Sequence, residues 1–229
     1  MGFCESIGRL AVGYVLGNCG RAGKMLECRE EVAMNTPTKA GPHFDASLNI
    51  LKQIAKTVEN CHSTVHAYIA GGQAMAFWCN GFRMSLDLDV IFSHKMLVEQ
   101  GLHAFVAAEN PLDAQRVDFD YNFNDTFSLI HSDYPKRATF VQSYGKLTAH
   151  IISPVDLALM KISRFSERDR NDIKELVREG LIDRDELKDL ANDALNDYVG
   201  NTEVLRTSLD IVLTWFPSAE QKKCHRLRP

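Results

Sequence analysis

Two aspartates separated by one residue are the feature of this chain best suited to chemistry. Asp87 and Asp89 lie in the apolar run L-D-L-D-V-I-F of residues 86–92, which predicts a β-strand. Because side chains alternate between the two faces of a strand, both carboxylates would share one face and the leucines the other. Aligned carboxylates offer the hard oxygen ligands that Mg²⁺ prefers. The spacing therefore predicts a magnesium site, with a solvated strand face as the plainer alternative.

A glycine pair upstream of these aspartates indicates phosphate binding. Gly71 and Gly72 follow the predicted strand 65–70 and precede a short predicted helix, residues 73–80, which Gly81 ends. Glycines at such a turn let a ligand approach the backbone closely, and the free N–H groups at a helix start bind anions. A Gly-Gly pair alone is often only a turn. In this order and at this spacing, glycines and aspartates together favour a nucleotide site.

A lysine in an apolar helix is the third candidate. Lys161 lies in the run L-A-L-M-K-I of residues 157–162, where a cation needs a partner, and a triphosphate would serve. Downstream, S-x-x-D patterns predict helix starts at residues 153 and 166. The plainer interpretation is that Asp169 caps the second of these helices and that Arg164, Arg168 and Arg170 form a solvated basic face.

The two motifs resemble a known superfamily. The stretch G-G-x-A, helix, Gly81, R-x-S-x-D-x-D is similar to the signature of DNA polymerase β-type nucleotidyltransferases, particularly their small bacterial abortive-infection and toxin–antitoxin branch. That branch carries a similar K-x-x-R followed by R-D-x-x-D on two successive helices, which matches residues 161–164 and 168–172. The resemblance covers roughly residues 64–200.

This resemblance implies a Mg²⁺- or Mn²⁺-dependent transfer of a nucleoside monophosphate from a nucleoside triphosphate to a hydroxyl of an RNA such as tRNA, a protein or a small molecule. It also implies a toxin role in a toxin–antitoxin or phage-defence system, with a cognate antitoxin as partner. The implied metal ligands are Asp87 and Asp89, and these two with Lys161, Asp169 and Asp172 form the implied catalytic set. The implied nucleotide-binding residues are Gly71, Gly72, Arg83, Ser85 and Arg164.

The chain departs from the superfamily in one respect, because a third carboxylate usually comes from a later strand. The later apolar stretches, residues 139–142 and 147–152, contain no acid, and His150 lies within the second. Either Asp169 or Asp172 replaces the missing carboxylate, or the catalytic site is incomplete.

The composition is that of an ordinary globular protein. The chain has 229 residues, of which 45% are hydrophobic, and a formal net charge of −4. This charge argues against an extended basic surface for nucleic acid, although a local patch at residues 164–170 remains open. No apolar run is long enough to span a membrane. Six scattered cysteines without a C-x-x-C pair fit reduced thiols in the cytoplasm.

The order of predicted elements gives an α+β fold, with a small mixed sheet and flanking helices followed by a helical C-terminal part. We expect an N-terminal extension over residues 1–43, poorly ordered or upstream of a true start at Met34, and a nucleotidyltransferase-like core over 44–152. A helical subdomain over 153–217 and a polar tail over 218–229 follow. Within the core, Asp45 is the expected N-cap of the first helix, residues 97–108 are expected to form a helix and residues 117–123 a strand.

Two alternative functions remain open. The missing strand carboxylate favours a degenerate nucleotidyltransferase that binds a nucleotide or RNA without catalysis. The acidic helix predicted over residues 183–197 would suit an antitoxin-like interaction protein that binds a basic partner.

Overall fold

A computed structural model describes residues 41–81, 84–108, 111–123 and 128–217. The predictions for the extension before residue 41, for the start at Met34, for Arg83 and for the tail after residue 217 lie outside the described residues.

The strands form two small sheets. In chain order they are β1 (Val65–Ile69), β2 (Asp87–Leu88), β3 (Val90–Phe92), β4 (His103–Phe105), β5 (Arg116–Phe119), β6 (Thr139–Tyr144) and β7 (Leu147–Ile151). The four-stranded sheet has the order β3-β1-β7-β6, in which β1 is parallel to β7 and antiparallel to β3. The three-stranded sheet has the order β2-β5-β4, with β2 parallel to β5. The predicted hairpin is confirmed, since β6 and β7 pair in antiparallel fashion around Gly145 and Lys146.

The predicted strand over residues 86–92 is broken at Asp89. The backbone changes partner there: the Leu88 carbonyl accepts from Asp120 N in one sheet, and the Asp89 carbonyl accepts from Ala70 N beside the other. Asp87 and Asp89 therefore do not belong to one continuous strand. The prediction of a single regular strand was wrong because each half pairs with a different distant segment.

The helix predicted over residues 97–108 is also absent. Gly101 has a φ of 80°, which interrupts a right-handed helix, and the following residues pair as β4 with β5. Ala104 is buried while Phe105 is exposed, as expected for the alternating faces of a strand. The pairing with β5 overrides the local helical pattern.

The helices are α1 (Pro42–Thr57), α2 (Gly71–Trp78), α3 (Tyr134–Arg137), α4 (Pro154–Arg164), α5 (Glu167–Arg178), α6 (Arg184–Asp197) and α7 (Glu203–Leu213). Helix α1 begins a turn earlier than predicted, with Gly41 rather than Asp45 at its N-cap, because Pro42 suits the first helical position. The predicted caps of α4 and α5 are confirmed: Ser153 accepts from Asp156 N, and Ser166 forms a capping box with Asp169.

Helix α4 connects the two halves of the fold. Every residue from Val155 to Ile162 is buried, and the helix packs against α2, α5, α6 and α7. This burial places Lys161 in the interior. The α+β class is confirmed, with two mixed sheets in place of one. None of the helices in the described part of the chain has both the length and the apolar character of a membrane-spanning segment.

Candidate functional site

A pocket of about 490 Å³ lies where three strands end. Gly71, Asp89 and Asp120 line it, and they follow the carboxyl ends of β1, β2 and β5 within one or two residues. Ligands commonly bind at such strand ends, where loops carry polar side chains on a rigid scaffold. The remaining lining comes from helix α4 and from the segment after β5: Leu157, Met160, Lys161, Ser163, Arg164, Asn122, Phe123 and Ser128.

Asp120 is the carboxylate that accompanies Asp89. Because β2 and β5 are parallel with Leu88 beside Phe119, the next residue of each strand, Asp89 and Asp120, reaches the same edge of the sheet. The hydrogen bond from Asp120 N to the Leu88 carbonyl, 3.1 Å, fixes this register. A second carboxylate therefore lines the pocket from a later strand.

The pKa of the Asp89 carboxyl is raised despite the positive charges that line the pocket. Burial, then repulsion from the Asp120 and Asp87 carboxylates, raises the pKa of Asp89 to about 6, although Arg164 and Lys161 act in the opposite direction. Such perturbed carboxyls concentrate at functional sites.

Gly71 is required by the position of Asp89. A Cβ at residue 71 would lie 1.6 Å from Oδ2 of Asp89, so the carboxylate occupies the space of the missing side chain. Gly71 also has a φ of 57°, and it begins α2, whose N-terminus has no side-chain cap. The first N–H groups of α2 and the Asp89 carboxylate thus lie at the same corner of the pocket, which suits a cation and a phosphate side by side.

The few carboxylates of the pocket suit Mg²⁺, which needs only a small number of protein ligands. Within the described ranges, no group of three or more His, Cys, Asp or Glu side chains is arranged to hold a metal ion. Magnesium, however, is commonly bound through one or two carboxylates, with phosphate oxygens and waters completing its shell. Asp89 and Asp120 would supply two such ligands, and Asp87 adds negative charge nearby.

Lys161 extends from α4 and pairs with the second motif. Its Nζ donates to Oδ2 of Asp172 at 2.6 Å and lies 3.6 Å from Oδ1 of Asp169. The lysine is 3% exposed, yet it lines the pocket. Asp172 therefore satisfies the cation in its buried position.

Arg164 and Asp169 form a two-pronged ion pair beside Lys161. Arg164 donates through Nε and Nη2 to the two carboxylate oxygens at 2.8 and 2.7 Å. Burial opposes ionisation of Asp169, but hydrogen bonds from Arg164 and Ser166 outweigh it and lower its pKa to about 2. The Arg164 side chain remains 69% exposed and reaches the pocket, so its charge also acts there.

The structure brings four of the predicted residues to the pocket: Gly71, Asp89, Lys161 and Arg164. The other described candidates do not line it. Gly72 is buried, Asp87 is exposed on β2, and Ser85 donates through Oγ to the Asp87 carbonyl. Asp169 and Asp172 lie behind the lysine and arginine that they pair with. His150 also lies elsewhere, hydrogen-bonded to His66 at 3.1 Å and stacked on Tyr68.

Two functional candidates were missed in the sequence. Asp120 could have been found in the alternating run V-D-F-D-Y-N-F of residues 117–123, which carries acids on one face. Gln73 is fully buried, and its Nε2 donates to the Ser85 carbonyl at 2.8 Å, which ties α2 to the loop that enters β2. Its Oε1 has no hydrogen-bond partner in the described part of the chain. No sequence signal distinguishes this glutamine from an exposed helical residue.

Comparison with known proteins identifies one family. Neither the curated proteins nor the solved structures contain a significant match to the chain. A family model described as a nucleotidyltransferase of unknown function (DUF6036) matches residues 46–223. This match spans both sheets, the pocket and the C-terminal helices. The chain therefore belongs to this nucleotidyltransferase family.

Proposed function

We propose that the protein is a magnesium-dependent nucleotidyltransferase that moves a nucleoside monophosphate from a nucleoside triphosphate to an acceptor hydroxyl. The observation that carries this proposal is the division of charge across one pocket. Asp89 and Asp120 lie on the sheet side beside the α2 N-terminus, and Lys161 and Arg164 lie on the helix side. A metal-bound triphosphate needs both kinds of partner.

Each side of the pocket has a separate role in this proposal. Asp89 and Asp120, supported by Asp87, would hold Mg²⁺ or Mn²⁺, which when bound neutralises charge on the triphosphate oxygens. The N–H groups at the start of α2 bind phosphate oxygens. Lys161 and Arg164 offset negative charge on the transferred group, and their positions are set by Asp172 and Asp169. Catalysis of this kind depends mainly on positioning and electrostatics.

The division of the chain follows from these roles. We assign the carboxylates and the phosphate-binding turn to a core over residues 44–152, and the basic side chains to a helical subdomain over residues 153–217.

The test is transfer of label from α-³²P-labelled nucleoside triphosphates. Purified protein is incubated with each triphosphate, with total RNA or with itself as acceptor, and with Mg²⁺, Mn²⁺ or EDTA. We expect labelled product with a divalent cation, none with EDTA and none from Asp89→Asn. Absence of labelled product for all acceptors, together with tight triphosphate binding, would instead support the non-catalytic nucleotide-binding alternative.

The acceptor and the cellular role are the finer part of the proposal. The similarity of the two motifs to the abortive-infection branch supports an RNA such as tRNA as acceptor, a toxin role in the bacterial cytoplasm and a cognate antitoxin as partner. Induced expression in bacteria is then expected to arrest growth, and Asp89→Asn to relieve the arrest. Equal growth with the wild-type and Asp89→Asn proteins, both confirmed as expressed, would argue against the toxin role.

A further inference from the structure

We infer that Asn122, Phe123 and Ser128 form the subsite that receives the nucleobase, and that Asn122 reads its identity. This inference rests on the proposed function, since it concerns the part of the substrate that the charged side chains of the pocket would not contact. It starts from the distribution of side chains in the pocket.

The pocket is lined by both charged and neutral side chains. The charged groups are Asp89, Asp120, Lys161 and Arg164, and they account for a metal-bound triphosphate. The neutral lining contains the apolar side chains of Phe123, Leu157 and Met160 and the polar, uncharged side chains of Asn122, Ser128 and Ser163. An apolar surface with a few uncharged hydrogen-bonding groups is the usual environment of a planar heterocycle. A charged phosphate chain gains no favourable contact with such an apolar surface.

The segment that carries Asn122 and Phe123 is held in place by its neighbours. The Asp120 carboxylate accepts from Asn122 N at 2.8 Å, which forms a tight turn directly after β5. The Tyr121 hydroxyl accepts from Leu102 N at 2.6 Å and donates to the Glu99 carbonyl, so this side chain anchors the turn to another segment. The turn that carries Asn122 is thereby held in place before a base binds, which lowers the entropic cost of binding.

Asp120 connects the charged and the neutral lining of the pocket. The same carboxylate that faces Asp89 organises the turn that presents Asn122 and Phe123. A triphosphate bound by the charged side chains would therefore have this turn available to its base within the same pocket.

The chemistry of the three side chains suits recognition of a base. An aromatic ring such as Phe123 provides a stacking surface that accepts any base. The Asn122 side chain carries a donor and an acceptor in one plane, so it can match the edge of one base and mismatch another. The Ser128 hydroxyl adapts to either role. Selectivity is thus assigned to Asn122, and general affinity for bases to Phe123.

The test compares binding of ATP, CTP, GTP, UTP and inorganic tripolyphosphate, each with Mg²⁺, by titration calorimetry. For the wild type, one nucleotide is expected to bind at least about tenfold more tightly than tripolyphosphate and than the weakest nucleotide, the ratio for one additional hydrogen bond. Asn122→Ala should bring the four nucleotides to within about threefold of one another. Phe123→Ala should weaken all four by about tenfold, and neither variant should change tripolyphosphate affinity.

Two variants outside the pocket serve as matched controls. Asn196→Ala on α6 and Phe105→Ala on β4 remove the same groups from exposed positions, and both are expected to bind like the wild type. Asn122 is exposed, so Asn122→Ala carries the test if Phe123→Ala, which packs against the core, fails to fold.

Each other outcome contradicts the inference in a recognisable way. Unchanged ratios among the four nucleotides in Asn122→Ala would overturn the assignment of selectivity. If tripolyphosphate bound as tightly as every nucleotide, the base subsite would be overturned, whereas the proposed triphosphate site would stand. Failure of all five probes to bind would overturn both the subsite and the proposed function.

Discussion

Asp120 lies beside Asp89 because β5 runs parallel to β2 in a register that ends both strands at the same edge. Burial, together with repulsion from Asp120 and Asp87, raises the pKa of Asp89 to about 6. Asp120 and Asp87 therefore disfavour the ionised form of Asp89, and a cation bound in the proposed metal site would relieve this repulsion. A buried carboxylate that is disfavoured in this way is expected to lower the stability of the folded protein.

The first prediction follows from this cost. Because the folded-state pKa of Asp89 is raised, ionising it in the native protein costs free energy that the unfolded chain does not pay. This destabilisation is absent below about pH 4 and fully present above about pH 6. In metal-free buffer at pH 7.5, Asp89→Asn should increase the free energy of unfolding by about 1–3 kcal/mol, and the gain should disappear near pH 4.

Chemical denaturation at the two pH values measures this difference. Asp118→Asn is the control, since Asp118 lies on the same strand pair but forms an ion pair with Arg116 at 3.0 Å. It is expected to give no gain. A loss of stability in Asp89→Asn at pH 7.5 would mean that Asp89 is compensated by a partner and is not a strained metal ligand.

The second prediction concerns the contact between Gly71 and Asp89. An alanine at residue 71 would collide with the carboxylate, so Gly71→Ala should displace Asp89 and abolish magnesium-dependent nucleotide binding. Gly145→Ala is a close control because Gly145 also has a positive φ, 62°, but has no atom within 4 Å of an added Cβ. Both variants should lose about 1–2 kcal/mol of stability through backbone strain, and only Gly71→Ala should lose nucleotide binding.

Chemical denaturation of the two alanine variants measures the backbone strain that they share. Calorimetry measures nucleotide binding, which only the collision with Asp89 should abolish. If Gly71→Ala bound nucleotide as well as Gly145→Ala, the corner between α2 and Asp89 would have no part in the site.

Local features of the fold were predictable from the sequence, and distant pairings were not. The Gly71 turn, the capping box at Ser166 and the β6–β7 hairpin each depend on residues a few positions apart, and each is present. The break at Asp89 depends instead on Ala70 and Asp120, which lie 19 residues before it and 31 after it. A residue pattern within one strand contains no information about which distant strand it joins.

Because a local pattern does not identify distant partners, the sequence did not reveal Asp120 as a site residue or Asp172 as the partner of Lys161. Asp120 reaches Asp89 only through the register of β5, and the apolar run around Lys161 indicates that the cation needs a partner without naming Asp172. The predicted helix over residues 97–108 failed because pairing with β5 outweighs local propensity.

The third prediction concerns Gln73. Gln73→Met removes the hydrogen bond to the Ser85 carbonyl together with the unsatisfied Oε1, so the free energy of unfolding should change by less than about 1 kcal/mol. Magnesium-dependent nucleotide affinity should nevertheless fall, because the loop that leads into Asp87 and Asp89 loses its tie to α2. Gln53→Met is the matched control, since Gln53 Nε2 also donates to a backbone carbonyl, that of His103, at 3.0 Å.

Paired measurements of stability and affinity decide this point. Equal affinities in the two methionine variants would limit Gln73 to an ordinary core position.

The fourth prediction concerns the pH dependence of the Arg164–Asp169 pair. Because the folded-state pKa of Asp169 is lowered, its ionised form contributes stability above the unfolded-state value near 4, and this contribution is lost as the pH falls towards 2. The carboxylate is fully buried and accepts from both Arg164 and Ser166, so Asp169→Asn should cost more than a simple cap, about 1–3 kcal/mol at pH 7. Its stability should also decline less steeply than that of the wild type between pH 4 and 2.

Acid titration of both proteins by circular dichroism tests this slope. Asp185→Asn, at an 83% exposed position, is expected to follow the wild type throughout. Parallel acid curves for Asp169→Asn and the wild type would show that the buried pair contributes no pH-dependent stability.

The last prediction separates the two roles of Lys161. The lysine both satisfies Asp172 and lines the pocket, so Lys161→Met should lose stability, by about 3–5 kcal/mol for a broken buried pair, together with triphosphate affinity. Replacing both partners, as in the double variant Lys161→Met with Asp172→Leu, removes both charges of the buried pair and should recover much of that stability. Nucleotide affinity should not recover, because the positive charge facing the phosphates is still missing. Calorimetry on the double variant therefore isolates the functional role: weak triphosphate binding in a stable protein assigns Lys161 to the substrate, whereas restored binding would reduce the lysine to one half of a structural ion pair.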